Sequence, residues 1–276
     1  MKIKYLGTGA SEGIPSLYCK CNACENARKK KGKELRTRTG FVFDDKILID
    51  FSADSYSNFI KHDVDMTQME HVLISHTHED HYCPYDLTVH YPLFSEGVAE
   101  MIHVYGNPFV KKLFYSLDFW SEGMMRFITL HTLTKEETVD IGGYAVTPFY
   151  TDHMRREDCF VYLIQKDGKA YLHLVDSSEP SDRVYDFLVK NGVKLDAVTM
   201  DCTFASLKNN FYGHMNIWQN IHVKDKLYSL GAAKDGAIFV CTHISHFSKE
   251  DTHETLSAIA EKNGMLVAYD GMVLEF

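Results

Sequence analysis

The sequence predicts an α/β protein built as a four-layer αββα sandwich, in which two β-sheets pack face to face and helices cover both outer faces. Two observations carry this prediction. Strand patterns occur in two groups along the chain, and each group is followed by helical segments. Histidines and aspartates recur where these strands end, which predicts a cluster of polar side chains at one rim between the sheets. We expect a single domain over residues 1–276.

The first group of strands opens the chain, and its first strand leads into a glycine-rich turn. This turn lacks the Gly-Lys-Ser/Thr of a phosphate-binding loop. Four aromatic residues in and just after the last helix of the group are expected in the core or at a dimer contact: Phe114, Tyr115, Phe119 and Trp120. The predicted elements are strands at 2–6, 41–43, 47–50, 72–74, 101–105 and 127–132, with helices at 52–61 and 108–118.

The second group contains two hairpins, then helices that alternate with strands. Gly142-Gly143 and Asp167-Gly168 supply the tight turns of the two hairpins. A third hairpin is predicted to close the chain, from Met265 to Phe276. The remaining elements are strands at 195–200 and 237–241 and helices at 181–190, 216–230 and 249–262.

One stretch carries most of the chemistry. An apolar run, 72–74, predicts a buried strand, and three histidines and an aspartate follow it within a few residues. Imidazole and carboxylate are ligands that suit Zn, Mn or Fe. On a tight loop, His76 and His78 can face one position while Asp80 and His81 turn towards a second. The motif therefore predicts two neighbouring metal ions.

Other side chains share this position at the end of a strand. His153, Asp176 and His243 each follow a predicted strand and are candidate ligands for the same reason. Asp50 also ends a strand, and two readings stay open for it. Its carboxylate either hydrogen-bonds a ligand histidine or its loop, in a supporting role, or it is a simple turn or helix-cap residue.

A cluster of cysteines predicts a further site. Cys19, Cys21 and Cys24 are three thiols within six residues, which favours a closed zinc site that needs one more ligand. The alternative is a group of free surface cysteines. We expect a Cys-rich zinc-binding insertion at about residues 16–33.

Composition narrows the range of functions. Seven cysteines, an odd number, fit reduced thiols or metal ligands better than a disulfide framework. No apolar run is long enough for a membrane span and the start does not read as a signal peptide, so we expect a cytoplasmic protein with no membrane partner. The net charge of −9 opposes non-specific binding of nucleic acid, although it leaves room for a local basic patch.

The motif His-x-His-x-Asp-His after a core strand resembles the signature of the metallo-β-lactamase superfamily. Over nearly the whole chain the sequence is most similar to PhnP-like phosphodiesterases of the carbon–phosphorus lyase pathway. The segments that carry this resemblance are 6–9, the cysteine cluster, 200–202, 242–246 and 270–272. Segment 202–204 is more similar to the ribonuclease Z branch, and the segment around 108–130 is longer than in PhnP.

The resemblance assigns the ligands. It implies that His76, His78 and His153 bind one metal, that Asp80, His81 and His243 bind a second, and that Asp176 bridges them. It also implies that His246 completes a structural zinc site with the three cysteines. His214 matches an additional active-site histidine of the family, with a general-acid or phosphate-binding role. The alternative interpretation is that His214 is a solvent-exposed residue beside a helix cap. Asp80 and His214 are the expected catalytic residues.

The resemblance further implies a reaction. PhnP-like enzymes open cyclic ribose phosphates and 2′,3′-cyclic nucleotides, using two catalytic metals, often Mn, with Zn or Fe as the alternatives. A homodimer and a small phosphodiester substrate are expected. Two other functions compete: a ribonuclease Z that processes tRNA 3′ ends, and a non-catalytic accessory protein of the PqqB type. No long Gly/Pro-rich arm for gripping tRNA is evident, and the complete ligand set argues against the accessory protein.

Overall fold

The computed structural model describes residues 1–117, 123, 126–209 and 212–276. Within these residues the chain forms fourteen strands and six α-helices. The strands are β1 (Lys2–Gly7), β2 (Gly40–Phe43), β3 (Ile47–Ile49), β4 (His71–Leu73), β5 (Ile102–Gly106), β6 (Ile128–Thr132), β7 (Val139–Ile141), β8 (Tyr144–Thr151), β9 (Cys159–Lys166), β10 (Lys169–Leu174), β11 (Leu195–Asp201), β12 (Ala233–Thr242), β13 (Leu266–Val267) and β14 (Val273–Glu275). The helices are α1 (Asn22–Lys30), α2 (Ser55–Lys61), α3 (Pro108–Tyr115), α4 (Asp182–Lys190), α5 (Ile217–Ser229) and α6 (His253–Lys262).

The strands form two mixed sheets, each seven-stranded in the part of the chain described. The first sheet has the order β14-β1-β2-β3-β4-β5-β6, and the second has the order β13-β12-β11-β10-β9-β8-β7. Strands β3 to β6 are parallel to one another, as are β10 to β13. Polar residues that follow parallel strands gather at one edge of a sheet, because the carboxyl ends of those strands lie side by side.

Apolar side chains fill three layers between these elements. Alternate residues of both sheets, among them Phe41, Tyr144 and Tyr162, form the layer where the sheets face each other. Helices α4, α5 and α6 cover the outer face of the second sheet, and α3 covers the outer face of the first. This is the predicted four-layer sandwich. None of the described helices is both long and apolar enough to cross a membrane.

The predicted closing hairpin is wrong. Strand β13 pairs with β12 in the second sheet, whereas β14 pairs with β1 in the first. The link between them is held by Asp270, whose carboxylate accepts hydrogen bonds from the backbone N–H of Thr8 at 3.0 Å and of Thr37 at 2.8 Å. These contacts with the first fifth of the chain direct β14 away from β13. Local alternation cannot reveal them.

Two further expectations concern particular segments. The cysteine-rich insertion contains a helix, α1, that the sequence reading did not predict; Cys24 and Ala27 are buried on it. Among the four aromatic residues expected in the core or at a dimer contact, Phe114 is fully buried and Tyr115 is 38 % exposed. Phe119 and Trp120 lie outside the described residues.

Candidate metal centre

The loop after β4 turns tightly and presents its histidines at the rim between the sheets. The N–H groups of His81 and Tyr82 both donate to the carbonyl of His78, at 2.9 and 2.8 Å, which closes the loop on itself. His76 and His81 are buried, whereas the side chain of His78 is 43 % exposed. The two buried rings therefore face the protein interior, and the third borders solvent.

Asp176, which follows β10, lies at the centre of this rim. Its Oδ2 is 3.1 Å from His76 Nε2 and 3.1 Å from His153 Nε2. The same oxygen is 3.2 Å from His81 Nε2 and 3.9 Å from His243 Nε2. One carboxylate thus contacts four histidines from three separate segments. This is the position that a bridging ligand requires.

Three sets of possible ligand atoms share Asp176. In each set the atoms lie within 4.8 Å of one another: His76, His78, His153 and Asp176 in the first set, Asp80, His81, Asp176 and His243 in the second, and Asp176, Asp201, His214 and His243 in the third. The first two are the sets that the sequence resemblance implies.

The donor atoms fit divalent metals. His153 Nε2 lies 3.0 Å from His78 Nδ1, and His81 Nε2 lies 3.3 Å from His243 Nε2. Two imidazole nitrogens bound to one tetrahedral zinc at about 2.0–2.1 Å would be about 3.4 Å apart. In addition, His76 Nε2 and Asp176 Oδ1 are buried and form no well-oriented hydrogen bond, although polar atoms lie close to both. A bound divalent ion would satisfy buried polar atoms of this kind.

Three residues of the rim have strained backbones. Asp50, Asp176 and His243 have φ values of 61°, 53° and 56°, in the left-handed region that residues other than glycine rarely adopt. Such strain concentrates at functional sites, where the surrounding structure holds it in place. Here it aims each side chain into the rim directly after its strand ends.

Asp50 supports one of the histidines. Its carboxylate is fully buried, lies 2.7 Å from His81 Nδ1, and accepts a hydrogen bond from the backbone N–H of Ser75 at 2.8 Å. Burial alone would raise the pKa of Asp50, but His81 outweighs it and holds the pKa below its usual value. A carboxylate on Nδ1 fixes the ring so that Nε2 faces the metal position. Of the two readings left open for Asp50, the structure therefore favours the supporting role.

Asp201 is a residue of the site that the sequence reading missed. It ends β11 and is fully buried, and its carboxylate accepts hydrogen bonds from the N–H groups of Thr203 at 3.0 Å and Met215 at 2.8 Å. The hydroxyl of Thr203 lies 2.8 Å from His243 Nδ1. Asp201 and Thr203 therefore hold His243 from behind. The same strand-end position that selected Asp176 would have selected Asp201.

His214 lies beside the shared carboxylate. Its Nδ1 is 2.8 Å from Asp176 Oδ1 and 3.3 Å from Asp201 Oδ2. Burial lowers the pKa of His214, but these two carboxylates more than offset that effect and raise it to about 10. Its Nε2 makes no hydrogen bond to a described residue, and the side chain is 20 % exposed. His214 therefore has one nitrogen anchored and one available to a substrate.

The cysteine cluster forms a second candidate site. Ligand atoms of Cys19, Cys21, Cys24 and His246 lie within 4.8 Å of one another. The Nδ1 of His246 is 3.5 Å from the sulfurs of Cys19 and Cys21. Three thiols and one imidazole without an open position form the donor set of structural zinc. One of its ligands, His246, lies three residues after His243 in the chain. The site therefore joins the cysteine-rich insertion to the loop that carries His243.

Comparison with known proteins places the chain in a family. Residues 45–244 match the beta-lactamase superfamily domain, and this match spans every candidate ligand of the rim. The chain belongs to the beta-lactamase superfamily. With the His/Asp sets described above, its fold implies binding of divalent metal. No curated protein matches the chain in sequence.

Several solved structures have the same fold as this protein over the whole length of its chain. A diphosphatase of the PhnP family has a TM-score of 0.76 at 22 % identity, with 100 % of this chain and 97 % of that chain covered. Zinc-bound PqqB from Methylobacterium extorquens has a TM-score of 0.74 at 18 % identity, with both chains fully covered. The short form of human tRNase Z has a TM-score of 0.65 at 18 % identity, covering 100 % and 99 %. At these identities the likeness shows the fold alone.

Proposed function

We propose that this protein is a dinuclear metal-dependent phosphodiesterase that hydrolyses cyclic ribose or nucleotide phosphates. The observation that supports it is Asp176, which is shared by two complete ligand sets. Two-metal sites of this kind serve in-line displacement at phosphorus, because both the attacking and the leaving oxygens need stabilisation. The likeness to a PhnP-family diphosphatase agrees with phosphate chemistry.

The proposal gives each site residue a role. Divalent ions, when bound, would stabilise charge on the phosphate oxygens and supply a nucleophile from water at neutral pH. Asp176 would fix the distance between the two metal positions, and Asp80 would act as a ligand of the second. His214 would present Nε2 to the leaving oxygen or to a phosphate oxygen, since Nδ1 is already held by Asp176. Zn, Mn or Fe would suit the rim, and zinc the cysteine site.

Two alternatives compete with this proposal. The likeness to human tRNase Z favours a tRNA-processing nuclease, but a net charge of −9 works against a polyanionic partner. The likeness to PqqB favours an accessory protein without catalysis. Such a protein has no need for a histidine like His214 that is anchored at one nitrogen and open at the other.

One assay separates the three functions. Metal-loaded protein would be tested on bis-p-nitrophenyl phosphate, a 2′,3′-cyclic nucleotide and a precursor tRNA. Turnover of the first two substrates without tRNA cleavage is expected. Specific cleavage of the tRNA 3′ trailer would favour the nuclease. If the protein with both metals bound turned over none of these substrates, the proposed enzymatic activity would be refuted. Light scattering of the same sample would test the proposed homodimer.

A further inference from the structure

A buried carboxylate, Glu157, lies behind the first ligand set, outside the residues assigned to the metals. The residue is only 6 % exposed, and its side chain pairs with no cation among the described residues. A buried charge without a partner is costly unless hydrogen bonds or a nearby metal offset the cost. Its neighbours therefore indicate what it does.

Both oxygens of Glu157 accept hydrogen bonds from neutral groups. Oε2 accepts from the hydroxyl of Thr77, and Oε1 accepts from Asn107 Nδ2 at 2.6 Å. Asn107 is 1 % exposed and is itself fixed, because its Oδ1 caps α3 by accepting from Phe109 N at 2.8 Å. The same Nδ2 also donates to the carbonyl of Asp158 at 2.9 Å. The carboxylate is thus held between two donors, of which Asn107 is itself fixed.

These contacts join the two loops that supply the first metal position. Thr77 lies between His76 and His78 in the loop after β4, and Glu157 lies four residues after His153 in the loop between β8 and β9. The loops belong to different sheets. Glu157 therefore ties the histidine pair of one sheet to the single histidine of the other.

The second metal position has its own supports. His81 is held by Asp50 at 2.7 Å, and His243 is held by Thr203 at 2.8 Å. Neither support contacts Glu157 or Asn107. Loss of the Glu157 contacts should therefore loosen one metal position and spare the other.

We propose that Glu157 is a positioning residue that sets the affinity of the first metal position alone, by bracing the loop of His76 and His78 against the loop of His153. This inference rests on the two metal positions of the proposed function. It does not depend on which substrate the protein hydrolyses. Loss of such a supporting contact typically weakens metal binding about 10–100-fold.

The test measures metal binding without substrate. Metal-free Glu157→Ala would be titrated with Mn²⁺ or Zn²⁺ by calorimetry, with Thr77→Val as a milder variant that removes only the hydroxyl. Both should weaken one of the two rim sites, Glu157→Ala by about 10–100-fold, and leave the other unchanged. Asp158→Asn is the matched control, since this exposed neighbour lies in the same loop and its side chain holds neither loop.

Double variants identify which site is lost. Glu157→Ala should change nothing further in His153→Ala, which already lacks the first site, but should weaken binding of the remaining metal in His243→Ala about 10–100-fold. Equal weakening of both sites, or unchanged affinities, would overturn the inference. So would a fall in the melting temperature of the metal-free protein with both affinities intact, because Glu157 would then serve only the fold. A protein that binds both metals as described yet hydrolyses no phosphodiester would refute the proposed function and leave this inference standing.

Discussion

Replacement of His214 by alanine is the most direct test of the proposed chemistry. The substitution removes an imidazole whose Nδ1 lies 2.8 Å from Asp176 and whose Nε2 makes no hydrogen bond to the described residues. Because His214 is in neither of the two ligand sets assigned to the rim metals, both metals should still bind. We expect slow hydrolysis of substrates with poor leaving groups in a fully metal-loaded variant.

The structure sets the size of the expected loss. A general acid contributes about 10²–10⁴-fold in rate, or about 2.7–5.4 kcal/mol at 1.36 kcal/mol for each factor of ten. The ring of His214 stacks on His243 at an interplanar angle of 15° and packs edge-on against His153 with ring centres 4.8 Å apart. Its orientation is therefore fixed before substrate arrives. We expect a loss in the upper part of the range, about 10³–10⁴-fold.

The assay compares two leaving groups. Opening of a 2′,3′-cyclic nucleotide expels an alkoxide that needs a proton, whereas bis-p-nitrophenyl phosphate expels a nitrophenolate that does not. His214→Ala should therefore impair kcat for the cyclic nucleotide far more than for the nitrophenyl ester. His222→Ala, at an exposed histidine outside the rim, is the control. Equal losses on both substrates would refute the general acid and point to phosphate binding, and no loss on either would exclude any role in hydrolysis.

Other substitutions test the remaining assignments. Asp176→Asn should abolish hydrolysis and lower metal content while the fold survives; wild-type turnover with full metal loading would refute the shared-ligand mechanism. His243→Ala should lose activity and one rim metal, whereas His246→Ala should lose one tightly bound zinc and melt about 4–8 °C earlier if the loosened loop costs about 2 kcal/mol. Full zinc content in His246→Ala would exclude the Cys₃His site. Arg155 and Arg156 form no ion pair with a described residue. They line a cavity of about 330 Å³ beside the loop that follows His153. Their joint replacement by alanine should raise KM for anionic substrates about two- to fivefold at low salt, as expected for exposed charges. Unchanged KM would show that they do not face the substrate.

Local patterns explain why so much of the site could be predicted. A metal ligand that follows a strand is marked twice in the sequence, by its residue type and by the apolar run before it. Both marks are found at His76, His153, Asp176 and His243. The structure brings the three histidines together around the carboxylate of Asp176. The order of strands and helices likewise followed from local periodicity and turn residues, which is why the sandwich was predicted correctly.

Other features carry no such mark. Glu157 precedes a strand rather than following one, and its partners Thr77 and Asn107 lie 80 and 50 residues away along the chain. Asp201 sits at a strand end, but its contacts to Thr203, Met215 and His214 become visible only once the chain has folded. The carboxylate of Asp270, which separates β13 from β14, depends on residues more than 230 positions away.

The sequence by itself therefore determined the fold class, the position of the metal rim and the identity of its candidate ligands. These depend on residue type and on patterns a few residues long, and both are written in the order of the chain. Only the tertiary structure decided how those ligands are held: Asp50 behind His81, Thr203 behind His243, and Glu157 between two loops. The physical reason is that buried polar groups take whichever hydrogen-bond partners folding brings near them, and those partners come from distant parts of the chain.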